Sequence, residues 1–390
     1  MKRVAIIGAG AAGCFCAALL RKQVPEISVT VFEDGAKPMA KLAITGGGRC
    51  NLTNSFAGIR SLGEAYPRGE RVMKRALKVF SQEDTIRWFT AEGVPCTLQE
   101  DHCWFPQSQD AMDVVRCLSR AMKGADIQLN TPVKNVGSLV DTYDYVVVTT
   151  GGAPKGLPFL EGLGLELIPP VPSLFTFNIS DPGLKSLMGL VLEASLSLQG
   201  TSFRAQGPLL ITDWGLSGPA TLKLSSYAAR FLADTGYKGT VAINWLHENE
   251  TEVKTRLMEM AARNPQKLLT SVHPVQQRLW EHLLTKANLR PDIRWAELGT
   301  KGLNRLVAVL INDTYALTGK SKFREEFVTA GGVALSNIHL NTLESKQHPG
   351  LYFAGEVLDI DAITGGFNLQ AAWSTAYVCA SSIVNAIHAQ

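Results

Sequence analysis

Near its amino terminus the chain reads Gly8-Ala9-Gly10-Ala11-Ala12-Gly13, a G-x-G-x-x-G spacing suited to holding a pyrophosphate. The first glycine permits a tight turn and the second lets phosphates approach the backbone. The third lets a helix pack closely on the preceding strand. Free N–H groups at the start of that helix, at Ala11 and Ala12 among others, would then face the negative charge. Glu33 closes the next apolar run, ISVTVF, where a carboxylate can accept hydrogen bonds from both hydroxyls of an adenosine ribose. An acid there disfavours a ribose 2′-phosphate. The motif alone leaves NAD and FAD both open.

The elements that must position these residues follow from periodicity. Arg3–Ile7 predicts a buried strand, Ala11–Gln23 a helix apolar on all sides and Ile27–Phe32 a second strand, which together make a βαβ unit. A basic amphipathic helix is expected over Arg68–Phe80. Ser81-Gln82-Glu83-Asp84 has the form of a capping box opening the next helix, as far as Glu92. Ala111–Lys123 predicts another helix, capped by Ser108 or Asp110. Strands are expected at Asp126–Leu129, Val133–Leu139 and Tyr145–Thr150, the last an uninterrupted β-branched run that suits burial on both faces. Prolines between Pro154 and Pro172 mark a crossing out of this domain. Residues 173–245 then read as a small antiparallel sheet or barrel, and 247–310 as helical. Strand character returns at Glu326–Ala330 and Gly350–Gly355, before a final helix from about Gly366.

At 390 residues, 46% hydrophobic and 19% charged, the chain is an ordinary globular protein of more than one domain. A net charge of +3 argues against a strongly electrostatic nucleic-acid binder but allows a local basic patch. One candidate is the helix bearing Arg68, Arg71, Lys74, Arg75 and Lys78, which could grip RNA phosphates; a solvated face is the plainer reading. The seven cysteines contain no C-x-x-C pair, which fits scattered reduced thiols and no metal site. No run is long and apolar enough to span a membrane, and the N-terminal apolar run is broken by glycines, so a cytoplasmic protein is expected.

LAITGGGRCNLTNS (Leu42–Ser55), DWGLSGPATL (Asp213–Leu222) and the run from Val328 to Trp373, with its GEVLD and TGGFN segments, closely resemble the HI0933-like (YhiN/BaiN-like) family of flavoproteins. The resemblance implies an α/β fold: a doubly wound Rossmann-type FAD-binding domain of residues 1–168 and 326–390. It also implies an inserted β-rich, barrel-like substrate domain (169–246 and about 313–325) and a small helical domain (247–312). Non-covalent FAD is implied, and no second G-x-G-x-x-G exists for a dedicated NAD(P)H domain, so NAD(P)H would visit only transiently as electron donor. The sequence departs from the family pattern in two places. TTGG (Thr149–Gly152) runs straight into Ala153-Pro154-Lys155-Gly156, and His102-Cys103 stands where the family has Gly-Arg.

Given that cofactor, Thr45, Gly46 and Gly47 can bring backbone donors to the diphosphate or ribityl chain. Lys41 and Arg49 could add positive charge there, and Asn51 could orient flavin or substrate. Val133 could hold the adenine edge through its backbone. Thr150 and Gly151 end a central strand at the site, and Gly355-Glu356 places an acid where it could meet the ribityl hydroxyls, with Asp359 and Asp361 as runners-up. Gly366, Phe367 and Asn368 open a helix whose N-terminus can face the flavin edge that gains charge on reduction. Cys50 and His102 are the candidate proton donors, with loop packing and surface exposure as their respective alternatives.

The expected function is an FAD-dependent oxidoreductase that reduces an activated C=C bond with NAD(P)H. The first substrate considered is uridine in 23S ribosomal RNA, converted to dihydrouridine. Partners are a small molecule or RNA, ribosomal RNA included, with no membrane and no oligomeric state legible. The rival readings are a flavin amine oxidase of a small aminoketone and a non-catalytic flavin-binding protein.

Overall fold

The computed structural model of the chain describes residues 1–153, 155–321 and 328–389. Two compact units emerge: Met1–Pro172 with Val328–Gln390, and Ser173–Phe327. The first unit is built on a five-stranded parallel sheet ordered Leu351–Phe353, Tyr145–Val148, Arg3–Ile7, Ser28–Phe32 and Asp126–Gln128. Val146, Val147 and Val148 are buried, as a strand covered on both faces requires. Helix Ala11–Gln23 packs Phe15 edge-on against Trp88 and Trp373, at ring separations of 4.7 and 5.4 Å. Trp373 belongs to the last helix, Phe367–His388, so the two ends of the chain share one core.

Local chemistry accounts for several element boundaries. Ser81 and Asp84 form the reciprocal capping box of helix Gln82–Ala91, and Asp110 caps helix Ala111–Ala121 by accepting from the Met112 N–H at 2.9 Å. The basic helix begins at Glu70 rather than Arg68 because Gly69 turns the chain at φ +85°. A Cβ at Gly69 would sit 2.7 Å from Ile360.

The strand expected over Val133–Leu139 is absent. There the chain runs irregularly into one helical turn, Gly137–Val140. Asn135 accepts from the Gly137 N–H at 2.8 Å, and the Ser138 hydroxyl donates to the Asn135 carbonyl at 2.9 Å. Such side-chain turns compete with strand pairing. The strand expected at 326–330 is Val328–Val333, the first two expected positions lying outside the described residues.

The second unit is a closed six-stranded antiparallel barrel. Its order is Val191–Leu198, Arg204–Ile211, Gly215–Ser217, Phe177–Ile179, Asp313–Lys320 and Gly239–Asn244, which pairs back to Val191–Leu198. Inward positions alternate along Val191–Leu198, where Ala194, Leu196 and Leu198 are buried. Helices Glu250–Arg263, Gln277–Lys286 and Gly299–Ile311 share the barrel's apolar core through Leu257, Trp280 and Leu306. Asp313 is 2% exposed. It accepts from Trp245 Nε1 at 3.0 Å, from the Tyr315 hydroxyl at 2.6 Å and from the Lys286 ammonium. His282 Nε2 lies 2.9 Å from the Tyr315 hydroxyl. No described helix in the chain is long and apolar enough to cross a membrane.

Candidate cofactor site

Parallel pairing sets Ile7 beside Phe32 and Val148, and Val148 beside Phe353, so four strands end on one edge of the sheet. Gly8–Gly13, Glu33, Thr149–Gly151 and Ala354–Glu356 therefore gather there, in the position where open α/β sheets bind ligands. The three motif glycines differ in what they face. Gly8, at φ +101°, donates its N–H to the Phe32 carbonyl at 2.7 Å, and a Cβ on it would lie 2.7 Å from the Thr149 carbonyl oxygen. A Cβ on Gly13 would lie 2.0 Å from the Gly8 oxygen. At Gly10, nothing stands within 4 Å. Protein packing therefore demands glycine at 8 and 13, whereas Gly10 leaves open space beside the first turn. The N–H groups of Ala11 and Ala12 in that turn have no intrahelical acceptor and carry the positive end of the helix dipole.

Thr149 was not singled out from sequence. Its hydroxyl donates to the Ile7 and Gly8 carbonyls, at 2.9 and 2.8 Å, and so pins the glycine turn from below. A threonine directly after a buried valine run was the available signal. Glu33 accepts from the Ala9 N–H at 2.7 Å and the Gly35 N–H at 2.8 Å. These bonds fix the carboxylate's direction and still leave lone pairs for a ligand.

The front loop and the rear of the chain meet. Gly46, Gly47 and Gly48 take φ values of +58°, +68° and +81°, and Gly47 and Gly48 face open space. With its amide oriented to suit both neighbours, Asn51 donates to the Thr53 carbonyl at 3.0 Å and accepts from the Gly366 N–H at 3.2 Å. A Cβ at Gly366 would strike that amide at 2.5 Å. Asn54 donates to the Gly365 carbonyl at 3.0 Å, and Trp373 donates to the Leu52 carbonyl at 3.0 Å. Gly355, at φ +77°, would bring a Cβ within 3.2 Å of Ala12, so the rear strand also touches the first helix.

Two residues expected to reach a ligand turn their side chains into the protein. Phe367 is 3% exposed and packs on Phe56 and Tyr66, whose hydroxyl donates to the Phe367 carbonyl at 2.9 Å. Asn368 bonds both the N–H and the carbonyl of Ala362, at 2.9 and 3.0 Å. Both shape the loop ahead of the last helix. That loop has a further brace the sequence did not reveal: the Arg68 guanidinium grips both oxygens of the fully buried Asp361, and Ile363 donates its N–H to the Ala65 carbonyl at 2.9 Å.

Glu356 accepts from the Thr329 N–H at 2.7 Å. Burial raises its carboxyl above the ordinary carboxylate range, opposed by that bond, the charge of Lys41 and the Gly152 N–H. The carboxylate borders a cavity of about 190 Å³ that is also lined by Gly151, Ala153, Gly332 and Val357. A Cβ on Gly332 would lie 2.3 Å from the Val357 oxygen. Enclosed ligand pockets usually exceed roughly 300 Å³, so this cavity can take only part of a dinucleotide. The rest would lie along the open faces of Gly10, Gly47 and Gly48.

Other expected site residues fall as follows. Lys41 and Thr150 are exposed. Thr45 donates to the Leu42 carbonyl at 2.8 Å, and the Arg49 guanidinium lies 4.5 Å from the centre of the Phe105 ring. Cys50 has no exposed surface, and burial pushes its thiol up to about 12, against a hydrogen bond with Thr45 that lowers it. His102 is exposed at φ +65°, on the turn joining Cys96–Leu98 to Cys103–Pro106. Val133 sits in irregular chain, with no strand to present its backbone. Donors at a helix start, two acids, and glycines that open onto space fit a dinucleotide-bearing cofactor.

A family model described as HI0933-like protein Rossmann domain matches residues 2–382. The chain is 31% identical to the ribosomal RNA dihydrouridine synthase of Escherichia coli (strain K12), covering 98% of each chain. It is 31% identical to the ribosomal RNA dihydrouridine synthase of Haemophilus influenzae, covering 97% of each. It is 26% identical to the 3-dehydro-bile acid delta(4,6)-reductase of Clostridium scindens, over 97% of this chain and 98% of that one.

Proposed function

This chain belongs to the HI0933-like family and is a flavin-dependent oxidoreductase, and we propose that it binds FAD and uses NAD(P)H to reduce uridine to dihydrouridine in 23S ribosomal RNA. The observation that carries the cofactor assignment is the contrast among the motif glycines, Gly8 and Gly13 filled by protein and Gly10 facing open space. The helix start at Ala11 and Ala12 and the loop Thr45–Gly47 would hold the diphosphate, and Glu33 the adenosine ribose. Glu356 would take the ribityl hydroxyls, with Lys41 and Arg49 adding positive charge. Asn51 bonds Thr53 and Gly366 and so fixes the loop that would border the ring. The bound cofactor supplies hydride chemistry to a polarised double bond.

The protein has then to position the uracil, exclude water and deliver one proton. Of the two candidate donors, His102 has the exposed ring, whereas Cys50 is sealed under its loop. The strand Cys103–Pro106 that follows His102 pairs with Thr53–Asn54, and Asn54 bonds Gly365, so that turn belongs to the framework bracing the site. Identity of 31% to two ribosomal RNA dihydrouridine synthases supports the substrate. Overall, NAD(P)H, a proton and uridine give NAD(P)⁺ and dihydrouridine. The test is nucleoside mass spectrometry of 23S ribosomal RNA from a strain lacking this chain. Loss of dihydrouridine, restored by the wild-type gene, is expected; an unchanged content removes this substrate.

A further inference from the structure

Helix Glu70–Val79 has two unlike faces. Val72, Met73 and Ala76 are buried, whereas Arg71, Lys74, Arg75 and Lys78 are exposed. At 100° per residue those four cations fall within one narrow stripe, spaced i, i+3, i+4 and i+7. Among the described residues, Arg71, Lys74 and Lys78 form no ion pair, and Arg75 bonds only the neutral amide of Asn341. The helix's own acid, Glu70, stands one turn before Lys74 at the edge of the stripe, with its carboxylate beside Gly63. Arg68 is excluded from the stripe because it is committed to Asp361.

That same commitment ties the start of the helix to the loop ahead of Gly366. Arg68 to Asp361, Ala65 to Ile363 and Tyr66 to Phe367 are three successive links between the segment preceding the helix and the ring-facing loop. We propose that this stripe is the docking rail for the RNA backbone, held in fixed register with the cofactor site; the proposal rests on the ribosomal RNA reading above. From Arg71 to Lys78 it extends about 10 Å, long enough to reach more than one phosphate of a strand. Charge complementarity names the occupant: a row of four exposed cations, with Glu70 the helix's one acid at its end, suits a polyanion, and phosphate contacts set register without reading sequence.

The experiment uses the full-length flavin-loaded protein and protein-free 23S ribosomal RNA lacking dihydrouridine, with affinity measured across a salt series. A triple variant, Arg71→Gln with Lys74→Gln and Lys78→Gln, should keep its flavin content and absorption spectrum. Its log–log salt slope should fall by about 2 and its affinity near 0.1 M salt on the order of 100-fold. A control with the same charge loss, Lys238→Gln with Lys254→Gln and Lys301→Gln, should retain wild-type affinity. If the triple variant binds like wild type while wild type converts uridine, the rail is wrong and the substrate reading stands. Equal losses in the control would reduce the effect to net charge and overturn the rail. Wild type that fails to bind this RNA even at low salt overturns both. Binding of a polyglutamate peptide in place of RNA would assign the face to an acidic protein and also overturn the proposal.

Discussion

Two polar clusters, one in each unit, are built in opposite ways. In the barrel unit, both oxygens of the buried Asp313 carboxylate are held by the protein's own groups, Trp245, Tyr315 and Lys286. In the Rossmann unit, Ala11 and Ala12 present N–H groups without intrahelical acceptors, and Gly10, Gly47 and Gly48 face open space. Saturated polar networks serve stability, and unsaturated but rigidly braced ones serve binding. The site in the first unit is braced by side chains bonded to the protein itself: Thr149 beneath the turn, and Arg68, Asn51 and Asn368 around the rear loop.

Breaking the saturated network should have the largest effect. Asp313→Ala leaves Lys286 and Tyr315 without their buried acceptor and should destabilise the protein by about 3–5 kcal/mol in urea unfolding. Flavin bound per folded chain should hold; loss of flavin ahead of unfolding would mean the barrel network serves the cofactor too. Gly13→Val drives a side chain into the Gly8 carbonyl and should cost on the order of 3 kcal/mol, lowering stability in the flavin-free protein as well. A flavin-free variant as stable as wild type would show that the third glycine is not a packing requirement.

A smaller effect is expected at Cys50. Cys50→Ser should leave turnover within about twofold, since the thiol packs the loop; a loss beyond tenfold in single-turnover reduction would return it to the chemistry. The smallest is a pH effect. Burial lowers His282 from its ordinary value of 6.5, opposed by the nearby Asp313 and reinforced by Lys286. The unfolded chain therefore binds the proton first, and stability present above 6.5 is lost as pH falls from there towards the lowered native value. Thermal midpoints across that window should fall less steeply in His282→Gln than in wild type. Identical slopes would remove His282 from the account.

What was legible in the sequence follows the same division. The glycine turn, Glu33, the capping box at Ser81 and the buried run Tyr145–Val148 are local patterns with one physical solution each, and they appear as expected. The barrel was visible as short alternating runs, but the partners of Asp313 were not, because Trp245 and Lys286 come from other segments and only Tyr315 shares its strand. The Arg68–Asp361 grip joins residues far apart in the chain, and no local pattern announces it. The strand expected over Val133–Leu139 is missing for a local reason: valines suggest a strand, yet Asn135 and Ser138 supply their own turn. The last helix starts at Phe367, close to the expected Gly366, but the directions of the Phe367 and Asn368 side chains depend on Tyr66 and Ala362.

On the proposed reading, the space beside Gly10 belongs to the cofactor and not to the protein's own packing. Gly10→Val should fold with a flavin-free stability within about 1 kcal/mol of wild type, yet purify without yellow colour and fail to take up FAD on titration. A stable variant carrying a full complement of flavin would contradict it.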